Sequence, residues 1–365
     1  EDGIRDVERS RGLGDVYKRQ VFLAVFVLLF VDMDTIGNVL NDADYAYVMP
    51  SLLFYFLAVW FRTARWKFLL RPIIGKPKKS IYSVVIVGYM ANNLIPIRIG
   101  EVIRAYYLSL REGCSTSAAF GTVAVERATD VLALLFFLGA AGLMSASGVE
   151  RAFGDISSNV PGGTLVMVLA TLLPFIAVFS VVLLISVSSK HNVNVFLSRI
   201  LIVVGPKYRK RILAIIDRLL EGLTVVNSIS DLLKVLAWSI PVWAAEAAMY
   251  YLIAMGFDLG SIFTTELEFL SAILLFTAAA NLAGVFPSTA GGWGPFDFFG
   301  AASLTALGVQ NEIAAGYALT VHVVVWVPPT LVGALLLILD GTSLSGLLQG
   351  AKKSRQSAAD QGSAK

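Results

Sequence analysis

Residues 281–299 read NLAGVFPSTAGGWGPFDFF, and residues 92–108 read NNLIPIRIGEVIRAYYL. Each follows an uncharged apolar run. Each carries Asn, then Pro, then Gly four residues past that Pro: Pro96 with Gly100, and Pro287 with Gly291. Proline removes a backbone donor and breaks a helix, while glycine permits a tight reversal. Broken backbone at membrane depth is tolerated only where protein or a wet cavity surrounds it. The two stretches therefore read as re-entrant helical hairpins that turn inside a membrane instead of crossing it.

The rest of the chain has the composition such hairpins need. Of 365 residues, 56% are apolar and 15% charged, against about 45–50% and about 25% in soluble domains; the mean hydropathy is +0.73. That excludes a secreted disulfide scaffold, a disordered regulator and an ordinary soluble enzyme, and implies a polytopic membrane protein. One cysteine, Cys114, permits no intrachain disulfide. With only His191 and His322 beside it, no metal site is expected, and no cofactor. A net charge of +3, dispersed along the chain, does not suggest nucleic acid.

Loop charges orient the crossings. The uncharged segments are 20–31, 45–61, 80–97, 131–149, 156–189, 235–257 (interrupted by Glu246), 269–296 and 313–339. Short cytoplasmic loops are enriched in Lys and Arg. Residues 62–79 hold Arg62, Arg65, Lys67, Arg71, Lys76, Lys78 and Lys79 with no acid, and so read as cytoplasmic. The basic stretch 188–212 and the tail with Lys352, Lys353 and Arg355 read the same way. Loops 32–46, 256–268 and 297–312 carry only acids and read as external. Simple alternation of eight crossings violates this pattern. It is restored if 80–97 and 269–296 each enter and return on one side. The expected fold is all-α: about six crossings plus two re-entrant hairpins, arranged as two inverted repeats. Paired interrupted segments of this kind are common in secondary transporters, with the ligand at the repeat interface.

Residues 1–20 differ from everything after them. Their ten charges cancel, no apolar helical face is visible, and the GDVYKRQ ending reads as adaptor read-through or a disordered leader. The expected organisation is that leader, one membrane domain over 21–340, and a disordered cytoplasmic tail over 341–365. Residues 195–225 form a basic amphipathic stretch suited to the inner leaflet.

Polar residues inside apolar segments mark the candidate site, because a charge in hydrocarbon costs about 2.5–3.5 kcal/mol and pairs or lines a cavity. Arg98, Glu101 and Arg104 are spaced by three, roughly along one helical face, and Glu126, Arg127 and Asp130 follow at the next crossing. These six read either as an ion-pair network pinning the hairpin or as a headgroup site, with Arg98 and Arg104 on a phosphate. Glu246 reads as a cavity-facing or Arg-paired carboxylate. Asn92, Asn93, Asn281, Ser288, Gly291 and Gly292 add neutral donors at the two turns; a glycine packing turn explains the last two equally well. His322 reads more readily as a satisfied core histidine than as a proton relay.

The runs RWKFLL (65–70), NNLIPIRIGEVIRAYYL, VAVERATDVLAL (123–134) and NLAGVFPSTAGGWGPFD occur in an order that resembles the transmembrane region of lysylphosphatidylglycerol synthase, a flippase-like family. The resemblance covers about residues 48–340. It implies a lipid translocase of the cytoplasmic membrane that moves an anionic or aminoacylated phospholipid, or a related lipid, between leaflets. On the family's motifs, Asn93, Pro96, Gly100, Glu101, Arg104, Glu126, Arg127, Asp130, Pro287, Gly291 and Gly292 match; Asp297 stands near where the family commonly has glutamate. Partners implied are membrane lipids and a separate lipid-modifying synthase or glycosyltransferase. No Ser–His–Asp arrangement, Walker loop or paired Asp motif appears, and the chain runs only 25 residues past Asp340. The expectation is therefore a translocator that is not an enzyme. The alternatives are an enzyme transferring a group to or from a lipid-linked substrate, and a non-transporting scaffold for envelope biosynthesis.

Overall fold

A hydrocarbon layer offers the backbone no partners, so each apolar run satisfies its own peptide groups by forming helix. The computed structural model describes residues 33–77, 80–95, 99–144, 173, 229–285 and 290–351. In chain order these give α1 (Met33–Asp42), α2 (Val48–Ile74), α3 (Ile81–Leu94), α4 (Gly100–Glu112), α5 (Thr116–Met144), α6 (Ile229–Gly256), α7 (Glu266–Leu282), α8 (Pro295–Thr305) and α9 (Asn311–Leu339). No strand occurs among the described residues. The fold is that of an all-α, multi-pass membrane protein.

Four stretches are long and apolar enough to cross a membrane: Tyr45–Ile74, Thr116–Met144, Ser230–Gly256 and Asn311–Leu339. At about 1.5 Å per residue each reaches about 40 Å, more than the ~30 Å hydrocarbon thickness. In contrast α3 and α4, with 14 and 13 residues, reach only about 20 Å each. They fold back on one another. Ser83, Gly88 and Asn92 of α3 meet Arg111, Arg104 and Gly100 of α4 in reverse order. The turn depends on Gly100: a Cβ there would run into the Gly88 carbonyl and Asn92. Asn92 also accepts the Gly100 N–H at 2.8 Å, which caps the break. The second pair is α7 and α8, packed through Gly300 against Phe276 and Ala280.

The most extensive packing joins α2 to α6, α5 to α7, and α9 to α3. Small residues allow the close approaches, as at Gly333 of α9, where a Cβ would come within 2.6 Å of Met90 Cβ.

Two expectations need correction. The segment read as 45–61 continues as helix to Ile74, so Arg62, Arg65, Lys67 and Arg71 belong to α2 and not to a loop. Arg62 and Arg65 are buried; carboxylates from other helices match their charges, which is what lets a helix carry them inward. Likewise α5 begins at Thr116, well before 131, and takes Glu126, Arg127 and Asp130 into its interior. Beyond α9, residues 344–351 form a helix, with Leu347 and Ala351 buried and Gly350 against Tyr106. The segments 20–31 and, apart from Leu173, 156–189, the stretch 195–225, and Pro96, Arg98, Pro287 and Ser288 lie outside the described residues.

Candidate functional site

Both hairpin turns converge on the middle of α2 and α6 and enclose a cavity of about 160 Å³. Its lining comes from Tyr55, Ala58, Val59 and Arg62 on α2, Tyr89, Asn92 and Asn93 on α3, Glu101 on α4, Arg127 on α5 and Glu246 on α6. Asn281 on α7, Gly291 and Gly292 in the second turn, and Val325 on α9 complete it. The volume accommodates a small group, and the lining mixes charged, amide and apolar side chains.

One charged pair in this wall is closed. Glu246 receives Arg62 Nη2 on Oε2 and the Tyr250 hydroxyl on Oε1, the latter at 2.9 Å. Arg62 also donates to Tyr89 Oη at 3.3 Å and lies over the Trp243 ring, 4.6 Å from its centroid. Asn281 Nδ2 donates to Tyr250 Oη at 3.2 Å, which ties the second hairpin to this pair. Glu246 is thus both Arg-paired and cavity-lining, the two roles its isolation in the sequence suggested.

The second charged group is larger and lies beside the first hairpin. Arg104 forks onto Glu126 through Nη1 and Nη2 at 3.2 and 2.9 Å, and its guanidinium sits 3.7 Å from the Trp66 ring centroid. Arg65 Nη1 donates to Asp130 Oδ1 at 2.7 Å and to Ser239 Oγ at 2.6 Å; Trp243 Nε1 reaches the same Asp130 oxygen at 3.2 Å. Arg65 Nη2 lies 3.3 Å from Glu126 Oε1, an ion pair without hydrogen-bond alignment. Arg127 Nη2 then meets Glu126 Oε1 at 3.2 Å and Asp130 Oδ2 at 3.1 Å. Three guanidiniums therefore share two carboxylates, and one positive charge is left over. It falls on the cavity side: the Arg127 side chain is 33% exposed, those of Arg65 and Glu126 0%. Glu101 supplies only a loose counter-charge, its Oε1 3.8 Å from Arg127 Nε. That nitrogen has no hydrogen-bond partner.

The glycine wall is held from behind. His322 Nε2 meets the Gly291 carbonyl at 3.0 Å and His322 Nδ1 meets Asp297 Oδ1 at 2.8 Å. Asp297 Oδ2 in turn accepts the Gly294 N–H at 2.9 Å. Trp293 stacks on the imidazole with ring centroids 4.0 Å apart. Both ring nitrogens of His322 are occupied and the residue is buried, which fits the reading of a satisfied core histidine.

Of the residues the sequence singled out, Asn92, Asn93, Glu101, Arg127, Glu246, Asn281, Gly291 and Gly292 face the cavity. Arg104, Glu126 and Asp130 stand behind it, sealed in the ion network. Of the two readings open for Arg104, ion-pair network or headgroup contact, the structure places it in the network, on Glu126 and against Trp66, while Arg127 lines the cavity. Sequence reading missed Arg62, Arg65, Tyr89 and Tyr55. A usable signal existed for two of them: Arg62, Arg65, Trp66 and Leu69 recur at helical spacing and form one buried face.

Residues 19–333 match the family described as the lysylphosphatidylglycerol synthase TM region. The chain belongs to that family. Among relatives, it is 23% identical over 310 residues to a protein of Haloferax volcanii named glycosyltransferase AglD, a match covering 81% of the chain and 49% of AglD. It is 36% identical over 115 residues to a UPF0104 membrane protein of Methanocaldococcus jannaschii, covering 30% of the chain and 34% of that protein. A UPF0104 membrane protein of Pyrococcus horikoshii matches over 335 residues at 24% identity, 87% of the chain and 94% of the relative. The chain thus spans about half the length of AglD, and the match to the Methanocaldococcus protein covers about a third of each chain. No solved structure matches.

The match to AglD corrects one expectation. Missing catalytic motifs argue for a protein that is not an enzyme, yet most of the chain aligns with a protein named for glycosyl transfer. Their absence therefore does not by itself exclude a reaction on a lipid-linked substrate, although the match covers 49% of AglD.

Proposed function

We propose that this member of the lysylphosphatidylglycerol synthase TM family holds the phosphate-bearing headgroup of a lipid-linked substrate in the cavity and serves transfer of a group to or from it. The observation that carries this reading is Arg127: of the three guanidiniums in the network it alone is substantially exposed, it lines the cavity, and its counter-charge on that side, Glu101, stands 3.8 Å away. In low dielectric such a group attracts an anionic oxygen strongly, and a planar guanidinium fits phosphate oxygens in fork geometry. The asparagine amides at the turns supply neutral donors, while the lipid tail stays in hydrocarbon. Charge on the phosphate that develops or departs during transfer would be met by Arg127, held in place by Glu126 and Asp130. The name of AglD supports the reaction class; a separate glycosyltransferase or synthase is the natural partner.

The test uses purified protein in nanodiscs with a polyprenyl phosphate and labelled nucleotide-activated sugars. A labelled lipid product that falls in Arg127→Gln is expected. No product above that of empty discs, with every donor tried, would contradict the reading.

A second reading, movement of the lipid between leaflets, is favoured by the packing pattern. Exchanging the chain's halves converts the α3–α9 pair into the α7–α5 pair and leaves α2–α6 paired with each other. That supports two inverted repeats with the cavity at their interface. On this reading the protein lies in the cytoplasmic membrane, with the lysines at 76–79 and the C-terminus inside. Reconstituted vesicles carrying a fluorescent anionic phospholipid test it: quencher-accessible fluorescence rising above half supports movement, and a plateau at half opposes it.

A further inference from the structure

We infer that Glu101 is a displaceable counter-ion: its carboxylate holds the place on Arg127 that an anionic headgroup takes, and the two compete for one guanidinium. This rests on the reading of Arg127 as the headgroup contact.

Four observations lead to it. The ion pairs behind the cavity that join Arg65, Arg104 and Arg127 to Glu126 and Asp130 are 2.7–3.3 Å long, whereas Arg127 to Glu101 is 3.8 Å. The nitrogen facing Glu101, Arg127 Nε, makes no hydrogen bond, so the contact is a charge interaction that a better-aligned oxygen can replace. Both side chains are part-exposed and line the cavity. Finally, Glu101 makes the charge count of the network even. With it, three guanidiniums meet three carboxylates and the empty site is neutral; with it moved aside, the network carries the single positive charge a phosphate needs. A buried charge left uncompensated is strongly unfavourable, which is why the empty site benefits from a carboxylate of its own.

Displacement is inexpensive because of where Glu101 sits. It occupies the first turn of α4, directly after the Gly100 break. The free N–H groups of a helix N-terminus favour negative charge there, so the carboxylate keeps a stabilising environment after leaving Arg127. Asn92, which fixes the Gly100 N–H, keeps that helix end in register.

The inference makes a counterintuitive claim: removing a wall residue tightens binding. Farnesyl phosphate is the probe, with farnesol as its uncharged control, titrated against the full chain in nanodiscs; thermal melting checks the fold of each variant. Glu101→Gln, with Glu101→Ala as the second variant, should lower the Kd for farnesyl phosphate about two- to fivefold, the range for losing a loose competing ion pair, and leave farnesol unchanged. Arg127→Gln should raise it. If both Glu101 variants bind farnesyl phosphate equally or more weakly while Arg127→Gln still weakens it, Glu101 is not a competitor, although the headgroup reading stands. If Arg127→Gln has no effect either, both are overturned.

Discussion

Asn93 and Trp326 exchange hydrogen bonds in both directions across the join between the two halves of the chain. Asn93 Nδ2 donates to the Trp326 carbonyl at 3.0 Å, and Trp326 Nε1 donates to the Asn93 carbonyl at 3.3 Å. Asn93 also donates to Thr330 Oγ1 at 2.9 Å. The same indole abuts the second turn: a Cβ at Gly291 would lie 2.5 Å from Trp326 Nε1, and Gly291 has φ +75°. One contact thus links the first hairpin, α9 and the glycine wall of the cavity. Its position explains how turns almost two hundred residues apart are held in one site.

Asn93→Ala removes the side-chain half of this exchange and leaves the Trp326 indole N–H bond to a main-chain carbonyl. Trp326→Phe removes the other half. Each should destabilise the fold by about 1–2 kcal/mol. Because the two share one contact, the double variant should cost less than the sum. Denaturant titration in detergent, read as a double-mutant cycle, checks this; full additivity would mean the two bonds are energetically independent.

Arg65 is fully enclosed and neutralises Asp130 directly and Glu126 at 3.3 Å. Arg65→Leu takes from buried Asp130 its hydrogen-bonded guanidinium, and breaking such a buried pair costs about 3–5 kcal/mol. We expect a large fall in melting temperature or failure to express. Arg65→Leu with Asp130→Asn removes charge from both sides and should recover part of the loss. Equal instability of the single and double variants would show that packing, not charge, makes the site sensitive.

Cys114 is the one cysteine in the chain and lies in the turn after α4, so it reports on topology without added mutations. Burial pushes its thiol above the ordinary value, its own backbone lowers it, and the Glu112 charge raises it further. Less thiolate is then present at neutral pH, and maleimide labelling should be slow. The rate should climb about tenfold per pH unit and keep rising where an exposed cysteine has levelled off. Labelling is expected from the cytoplasmic face; reaction only from outside would refute the proposed orientation.

Much of this was legible from the residues. Proline and glycine at matched offsets mark both hairpins because each acts on its own backbone. Glu101, Arg127, Glu246 and the asparagines stand out because polar groups in apolar runs are costly and need a reason. What escaped reading depended on partners far away in sequence. Arg62 and Arg65 looked like loop charges, since the loop-charge rule sees only local composition; their partners Glu246 and Asp130 lie 184 and 65 positions away. The choice between Arg104 and Arg127 as the accessible guanidinium was equally invisible. Trp66 caps Arg104 and Glu126 holds it in a fork, and only packing reveals that both are there.

The most direct test of the central claim is the affinity of the nanodisc-embedded protein for a polyprenyl phosphate, compared between wild type, Arg127→Lys and Arg127→Gln. A charge-assisted contact is worth about 1.5–3 kcal/mol, so Arg127→Gln should weaken binding about tenfold to a hundredfold. Arg127→Lys should fall between, keeping the charge but losing the fork. Equal affinity for all three proteins, each folded, would contradict Arg127 as the group that holds the headgroup.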